Sequence, residues 1–581
     1  MMTSLVGVEK GWRWLGVTAL IFTLFLASLF MTAVDVYAQR LPRNETLYKA
    51  GLQWGPPSSF NPFGANVAWP INNELLIYET LFAYNLLTGE LDPVLARSYE
   101  WVDDATLVVT LHDGTRWQDG APLTASDVAY TVSLGDKYSV NFSPIWDHLT
   151  GVHVLDDRRV QFTLSENAHK GMVLNYLTTI RIVPEHIWVE IEAQEGGITQ
   201  FANLNPVGSG PYRLLRFSPE QIVVERDDNY WGKGVYGTPA PRFIVHPIFR
   251  SNDAGNLALE RAQVDLSQQF VPEVWKMWED RGLPVSTWFD EAPYFIPASI
   301  PTLFINVHKG ALANPLVRRA LAYAIDYERI AETAMSRYSP PARSSMIIPV
   351  GVPEQAYFSE ELVEEHGWRY DPAEAVRILE EELGATKGPD GIYVLPDGTR
   401  LGPFTVQCPF GWTDWMTALE IVAESARAVG IDVRTEFPEQ PVWNDRLQTG
   451  NFDMILNTPA GGYTPAHPWL RFRDVLDIRG VPEMGSIAFR NWNRYENPRV
   501  AELLDQAAVA TDEAELARIY QELDKIFMQD VPAIPLMYRP WEFFTYNETY
   551  WTNFPSDDNP YTSPLHNHTG VRVYFNVRPA Q

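Results

Sequence analysis

Residues Leu91–Leu134 read LDPVLARSYEWVDDATLVVTLHDGTRWQDGAPLTASDVAYTVSL. Asp92-Pro93 opens the stretch with loop chemistry. Thr106–Leu111, TLVVTL, is β-branched and apolar and predicts a strand. His112-Asp113-Gly114 predicts a turn, because Asp can bond its own backbone and Gly supplies a positive φ. Asp119-Gly120 predicts a second turn, with Pro122 leading out of it. Thr124 is placed to cap a helix, and Asp127 three residues on completes a box of cap and acid.

This order resembles the signature segment of the large solute-binding proteins of ABC importers, the peptide-binding family called family 5. The family pattern G-x-x-W-x-D-G-x-P-x-T-A-x-D-V stands here as Gly114, Trp117, Asp119, Gly120, Pro122, Thr124, Ala125, Asp127 and Val128. Working outward, the likeness continues. It takes in Tyr78-Glu79 with Leu81, then Leu91-x-Pro93-x-Leu95-Ala96, Pro206–Tyr212 (PVGSGPY) and Asn229-Tyr230-Trp231-Gly232. It also takes in the helix pattern Asn314, Pro315, Val317, Arg318, Ala320, Leu321, Ala324, Ile325 and Asp326. The resemblance implies an α/β fold of the periplasmic-binding-protein type II kind, cluster C, with two lobes, a hinge and an extra subdomain. By the same analogy, residues 39–85, 205–305 and 531–581 form the first lobe, 86–204 the extra subdomain and 306–530 the second lobe. The signature itself is scaffold in that family.

Read from the residues alone, strands alternate with helices, which also argues for α/β lobes. Strand signals stand at Gly151–Leu155, Val160–Leu164, Ile222–Glu225, Thr302–Lys309, Phe404–Gln407, Asp453–Leu456 and Ile534–Tyr538. Helix signals stand after Asn314-Pro315, over 371–384, over Ala418–Val429 and after Thr511. The Gly-rich run Val207–Gly210 is not a phosphate loop: no Lys-Ser/Thr follows, and Pro211 removes an amide donor. His186 has no acid or second His at a useful spacing and reads as structural.

The chain of 581 residues exceeds one core and predicts two or three domains. Its net charge of −28 argues against nucleic acid or an anionic lipid surface as partner. Lys10 and Arg13 precede the apolar run Leu15–Val34, and Val36-Tyr37-Ala38 fits a signal-peptidase site. Export with cleavage after Ala38 is the expectation, to the periplasm or the outside of the cell. An uncleaved anchor is the alternative, since the run approaches the length of a membrane span. Cys408 is the only cysteine, so no intramolecular disulfide and no cysteine-rich metal site can form. Beside Pro409 it reads as a buried small hydrophobe.

No H-E-x-x-H, G-x-S-x-G or Walker motif is present, and neither catalytic residues, cofactor nor metal is expected. A glycoside-active enzyme using two of the many carboxylates is the weaker alternative. The chain has 20 Trp, of which Trp69, Trp412, Trp415, Trp469 and Trp541 fall where the family places its cleft loops. Sugar rings stack on indole while amides and carboxyls take their hydroxyls. In the resemblance, peptide binders hold the ligand's ammonium with an Asp in the loop after the F-D-M strand. Here that strand is Phe452–Leu456, and the loop Asn457–Trp469 carries no acid. It is similar to the loop of the family's cello-oligosaccharide and β-glucan binders, with Gly461, Gly462, Tyr463 and His467 as further candidate contacts. The expected function is capture of an oligosaccharide between two lobes of a monomer and delivery to an ABC permease, with an oligopeptide as the alternative ligand.

Overall fold

The computed structural model describes residues 41–580 apart from 65, 66, 167, 195, 352, 461–463, 511 and 564–568. The export segment, the caps proposed at Thr511, and Gly461, Gly462 and Tyr463 therefore lie outside the described residues. Three larger sheets organise the rest.

A seven-stranded sheet runs, in spatial order, through Val285–Ser286, Thr545–Asn547, Leu266–Ser267, Thr46–Ala50, Phe243–Pro247, Gln221–Arg226 and Tyr212–Ser218. Thr46–Ala50 is parallel to both of its neighbours, and the other pairings are antiparallel. A five-stranded sheet runs through Val433–Glu436, Phe404–Gln407, Met454–Asn457, Thr302–Ile305 and Ala533–Pro535. The third sheet is four-stranded and antiparallel, in spatial order Ala96–Asp103, Thr106–Leu111, Arg159–Leu164 and Leu149–Val154, with the helix Ala125–Lys137 packed on it. We call the bodies built on these sheets the first lobe, the second lobe and the subdomain.

The opening stretch folds as its residues dictate. Gly114 and Gly120 take φ of +76° and +92°. Thr124 caps its helix: its hydroxyl accepts from the Ser126 amide at 3.3 Å, and Asp127 accepts from the Thr124 amide at 2.8 Å. Asp127 also accepts from the Glu185 amide at 3.0 Å, which ties a second helix to the first. Asn314 and Asp512 likewise cap the helices Pro315–Ala324 and Glu513–Asp530.

Distant motifs meet in the core. Glu79 accepts from the Tyr230 hydroxyl at 2.7 Å and the Trp231 indole N–H at 2.9 Å, so the Y-E and N-Y-W motifs are two halves of one network. Burial raises the Glu79 carboxyl to about 7. In Val207–Gly210, a Cβ on Gly208 would lie 1.7 Å from the Ile77 carbonyl oxygen, so glycine here permits backbone-to-backbone packing. His186 is structural, as read from sequence: Asp119, far away in sequence, meets its ring at 2.8 Å and joins the signature turn to the helix Glu185–Glu192.

Some elements end earlier than the pattern predicts. The strand expected over Thr302–Lys309 stops at Ile305, because Asn306 turns the chain by accepting from the His308 amide. The helix expected from Ala418 begins at Thr413. Two segments connect the lobes side by side. Ser299 and Arg539 exchange backbone hydrogen bonds of 2.9 and 3.0 Å, and Thr302–Ile305 pairs with Ala533–Pro535 just beyond. Cys408 is buried, as expected of a small hydrophobe, and burial pushes its thiol far up.

Candidate functional site

A cavity of about 230 Å³ lies where the two lobes meet beside this double crossing. The first lobe supplies the indole of Trp54, the amides Asn73, Asn252 and Gln268, and the segment Arg539–Glu542. The second lobe supplies Trp412 and Asp414 from the start of the helix Thr413–Ala428. Gly51, at φ +100°, also lines it; a Cβ there would lie 2.8 Å from Gln268, so glycine lets the two strands close on the cavity floor.

The polar groups of this cavity divide into those already paired and those left over. Arg539 Nε donates to Asp414 Oδ2 at 3.0 Å, and its guanidinium lies over the Phe543 ring at 4.3 Å. Asn252 Nδ2 donates to Thr413 Oγ1 at 3.2 Å. Both bonds join the first lobe side of the cavity to the second lobe's helix. Gln268 is only 6% exposed, and neither its amide N–H₂ nor its carbonyl has a hydrogen-bond partner among the described residues. Buried amides of this kind are costly unless something satisfies them.

Behind the Glu542 wall sits a wholly buried ion pair, Lys49 with Glu74, to which the Tyr574 hydroxyl donates at 2.8 Å. Burial draws the Lys49 ammonium below its usual range, against the pull of Glu74 and Glu542. Trp69 belongs to this layer: it is fully buried, its ring 5.9 Å from the Lys49 ammonium and 5.2 Å from His246. His246 is held neutral, near 3, by burial and by Lys49.

Of the tryptophans chosen from sequence, Trp412 and Trp541 line the cavity. Trp415 stands one layer back, its ring 4.8 Å from Trp412, and props that indole. Trp69 is core. Trp469 and His467 lie elsewhere. The Trp469 indole donates to the Leu504 carbonyl at 2.9 Å and meets the His169 ring of the subdomain edge-on at 4.5 Å. His467 is buried 3.8 Å from Glu354, with Arg471 beside it; burial and that guanidinium hold its imidazole neutral. His467 lines a different cavity, of about 460 Å³, between the subdomain's His169 and Lys170 and the second lobe's Ala507 and Tyr520; Trp469 stands behind its His169 wall.

Sequence reasoning missed Trp54, Gln268, Asp414 and Arg539. Trp54 precedes Gly55-Pro56-Pro57 and could have been found by the rule that selected the other loop tryptophans. Asp414 stands between Trp412 and Trp415, and Arg539 two residues before Trp541. No local signal marks Gln268.

The sequence model of the bacterial extracellular solute-binding proteins, family 5 (middle), matches residues 90–473. The chain belongs to this family, and is the solute-binding component of an ABC importer. A probable peptide-binding protein, YejA, of Agrobacterium fabrum is 24% identical over 498 residues, 78% of each chain. The mannohexaose-bound periplasmic oligopeptide-binding protein of an oligopeptide ABC transporter from Thermotoga maritima superposes with a TM-score of 0.85. It is 35% identical and covers 93% of this chain and 100% of its own. The oligopeptide-binding protein AppA of Bacillus subtilis, in complex with a nonapeptide, is 20% identical with a TM-score of 0.72, covering 92% and 99%. Proteins of this family bind solutes for import and are exported; no helix of the described residues is long and apolar enough to cross a membrane.

Proposed function

We propose that the chain captures a linear oligosaccharide between its lobes, seats one sugar unit in the cavity at their junction, and hands it to an ABC permease. The observation that carries this reading is the lining: three indoles, Trp54, Trp412 and Trp541, around the unsatisfied amide of Gln268. Indole faces take the C–H side of a sugar ring, and an amide with donor and acceptor both open suits hydroxyls, which need both. At about 230 Å³ the cavity is below the roughly 300–1,000 Å³ of drug-sized sites, which suits one ring of a chain that continues outside. Mannohexaose in the Thermotoga maritima protein supports the same ligand class.

An oligopeptide is the second reading, and the names of the relatives weigh towards it. The fold adds a physical reason. The loop Asn457–Trp469 has no acid, but Asp414 and Glu542 bring carboxylates to the cavity from elsewhere, so the missing acid does not argue against an ammonium. Calorimetric titration with mannohexaose, cello-oligosaccharides, a free nonapeptide and its N-acetylated form separates the two. Tight binding of the free peptide, with no oligosaccharide bound, overturns the first reading and leaves the importer role in place. Scattering with saturating ligand should show compaction as the lobes close about the double crossing.

A further inference from the structure

Arg539 is fixed on two sides. Its planar face rests on Phe543 at 4.3 Å, and its Nε is bonded to Asp414 at 3.0 Å. Its two terminal nitrogens make no hydrogen bond among the described residues, and the residue lines the cavity. A guanidinium presents its donors in a rigid fork, so holding one edge and one face aims the rest without further ordering. Asp414 is itself 2% exposed and belongs to the second lobe, whereas Arg539 stands on the crossing beside Ser299.

We infer that Arg539 determines specificity in this pocket by presenting its two free nitrogens to adjacent oxygens of the bound sugar unit, while its bond to Asp414 makes that recognition possible only when the lobes are together. This rests on the oligosaccharide reading above. The ion pair leaves the guanidinium and carboxylate close to neutral as a unit, so the site takes an uncharged ligand with neighbouring hydroxyls rather than a free anion. Gln268, just past the strand Leu266–Ser267, offers a complementary acceptor. Opening the lobes would separate Asp414 from Arg539 and let the fork swing, so an open form has the indoles of each half but not the aimed donors.

The test uses the full mature protein and mannohexaose. Arg539→Lys keeps the charge and can keep an ion pair with Asp414, but has no fork. The expected result is a melting temperature close to that of the parent and at least a tenfold loss of mannohexaose affinity. Asp414→Asn should lose affinity too, and should show less ligand-induced compaction by scattering. Unchanged affinity in Arg539→Lys overturns the inference while the oligosaccharide reading stands. Failure of the parent protein to bind mannohexaose or a cello-oligosaccharide overturns both. Should Arg539→Lys not fold, a crystal structure of the parent with mannohexaose decides. Terminal nitrogens of Arg539 within about 3.2 Å of sugar oxygens support the role. Their absence from the ligand overturns it.

Discussion

Segments 465–471 and 539–542 look alike in sequence, each with Pro, Trp and charge near a lobe edge, yet the fold uses them differently. In the first, Trp469 turns its edge to His169 of the subdomain, and His467 sinks beside Glu354 and Arg471. In the second, Arg539, Trp541 and Glu542 line the cavity between lobes. One segment cements the second lobe to the subdomain; the other faces open space. An indole's role is therefore set by what packs against it, since Trp is large enough either to fill a core or to wall a pocket.

Substitution separates the two roles most strongly at Trp469. Trp469→Ala should cost about 3–5 kcal/mol of folding stability in urea denaturation, because it empties a filled contact. Ligand affinity should change by less than about threefold, since the proposed site is elsewhere. A large affinity loss with unchanged stability would erase the distinction. Trp412→Ala and Trp541→Ala should do the reverse. Each is expected to cost about 1–3 kcal/mol of affinity, roughly ten- to hundredfold, with stability nearly kept. Calorimetry at one temperature reads this directly.

A smaller effect lies in acid. Burial, His148 and Arg473 hold His169 near 3, against 6.5 for a free imidazole. The fold keeps it neutral, so below pH 6.5 the unfolded chain binds a proton that the fold does not. Its contribution to stability is whole above 6.5 and is lost as pH falls towards 3. His169→Gln should flatten the decline in stability between pH 6 and pH 4 by about 1 kcal/mol per pH unit. Urea midpoints at those two values check it, and parallel declines would show that the ring is charged in the fold. The raised carboxyls of Glu79 and Asp524, near 7, act with opposite sign, so only the difference between variant and parent isolates the imidazole.

The smallest effect is expected from salt. An uncharged oligosaccharide should bind the 539–542 side with little change in affinity between about 0.05 and 0.5 M salt, because no exposed charge on the ligand is screened. A steep fall would point to a charged ligand end at Asp414, Arg539 or Glu542, and so to the peptide.

Much of the fold was legible because its signals are local. The strand Thr106–Leu111, the turns at Gly114 and Gly120, the cap at Thr124 and the helix after Asn314 each depend on residues a few positions apart. Turn and cap chemistry acts over that range. The family likeness needed nothing more, since those spacings are what it records. The lining of the cavity was half legible: Trp412 and Trp541 were named from sequence, Trp54 was not, and Trp69, Trp415 and Trp469 lie in packing instead. The rest had no local signature. Asp414 meets Arg539, Glu79 meets Tyr230 and Asp119 meets His186 only after long intervening stretches have folded. Gln268 lies against Gly51, and no partner among the described residues reaches its side-chain amide. Composition and spacing determined that this chain would build α/β lobes of a solute binder. Which polar groups stay unsatisfied at their junction, and hence what the junction can hold, depends on pairings that no window of sequence contains.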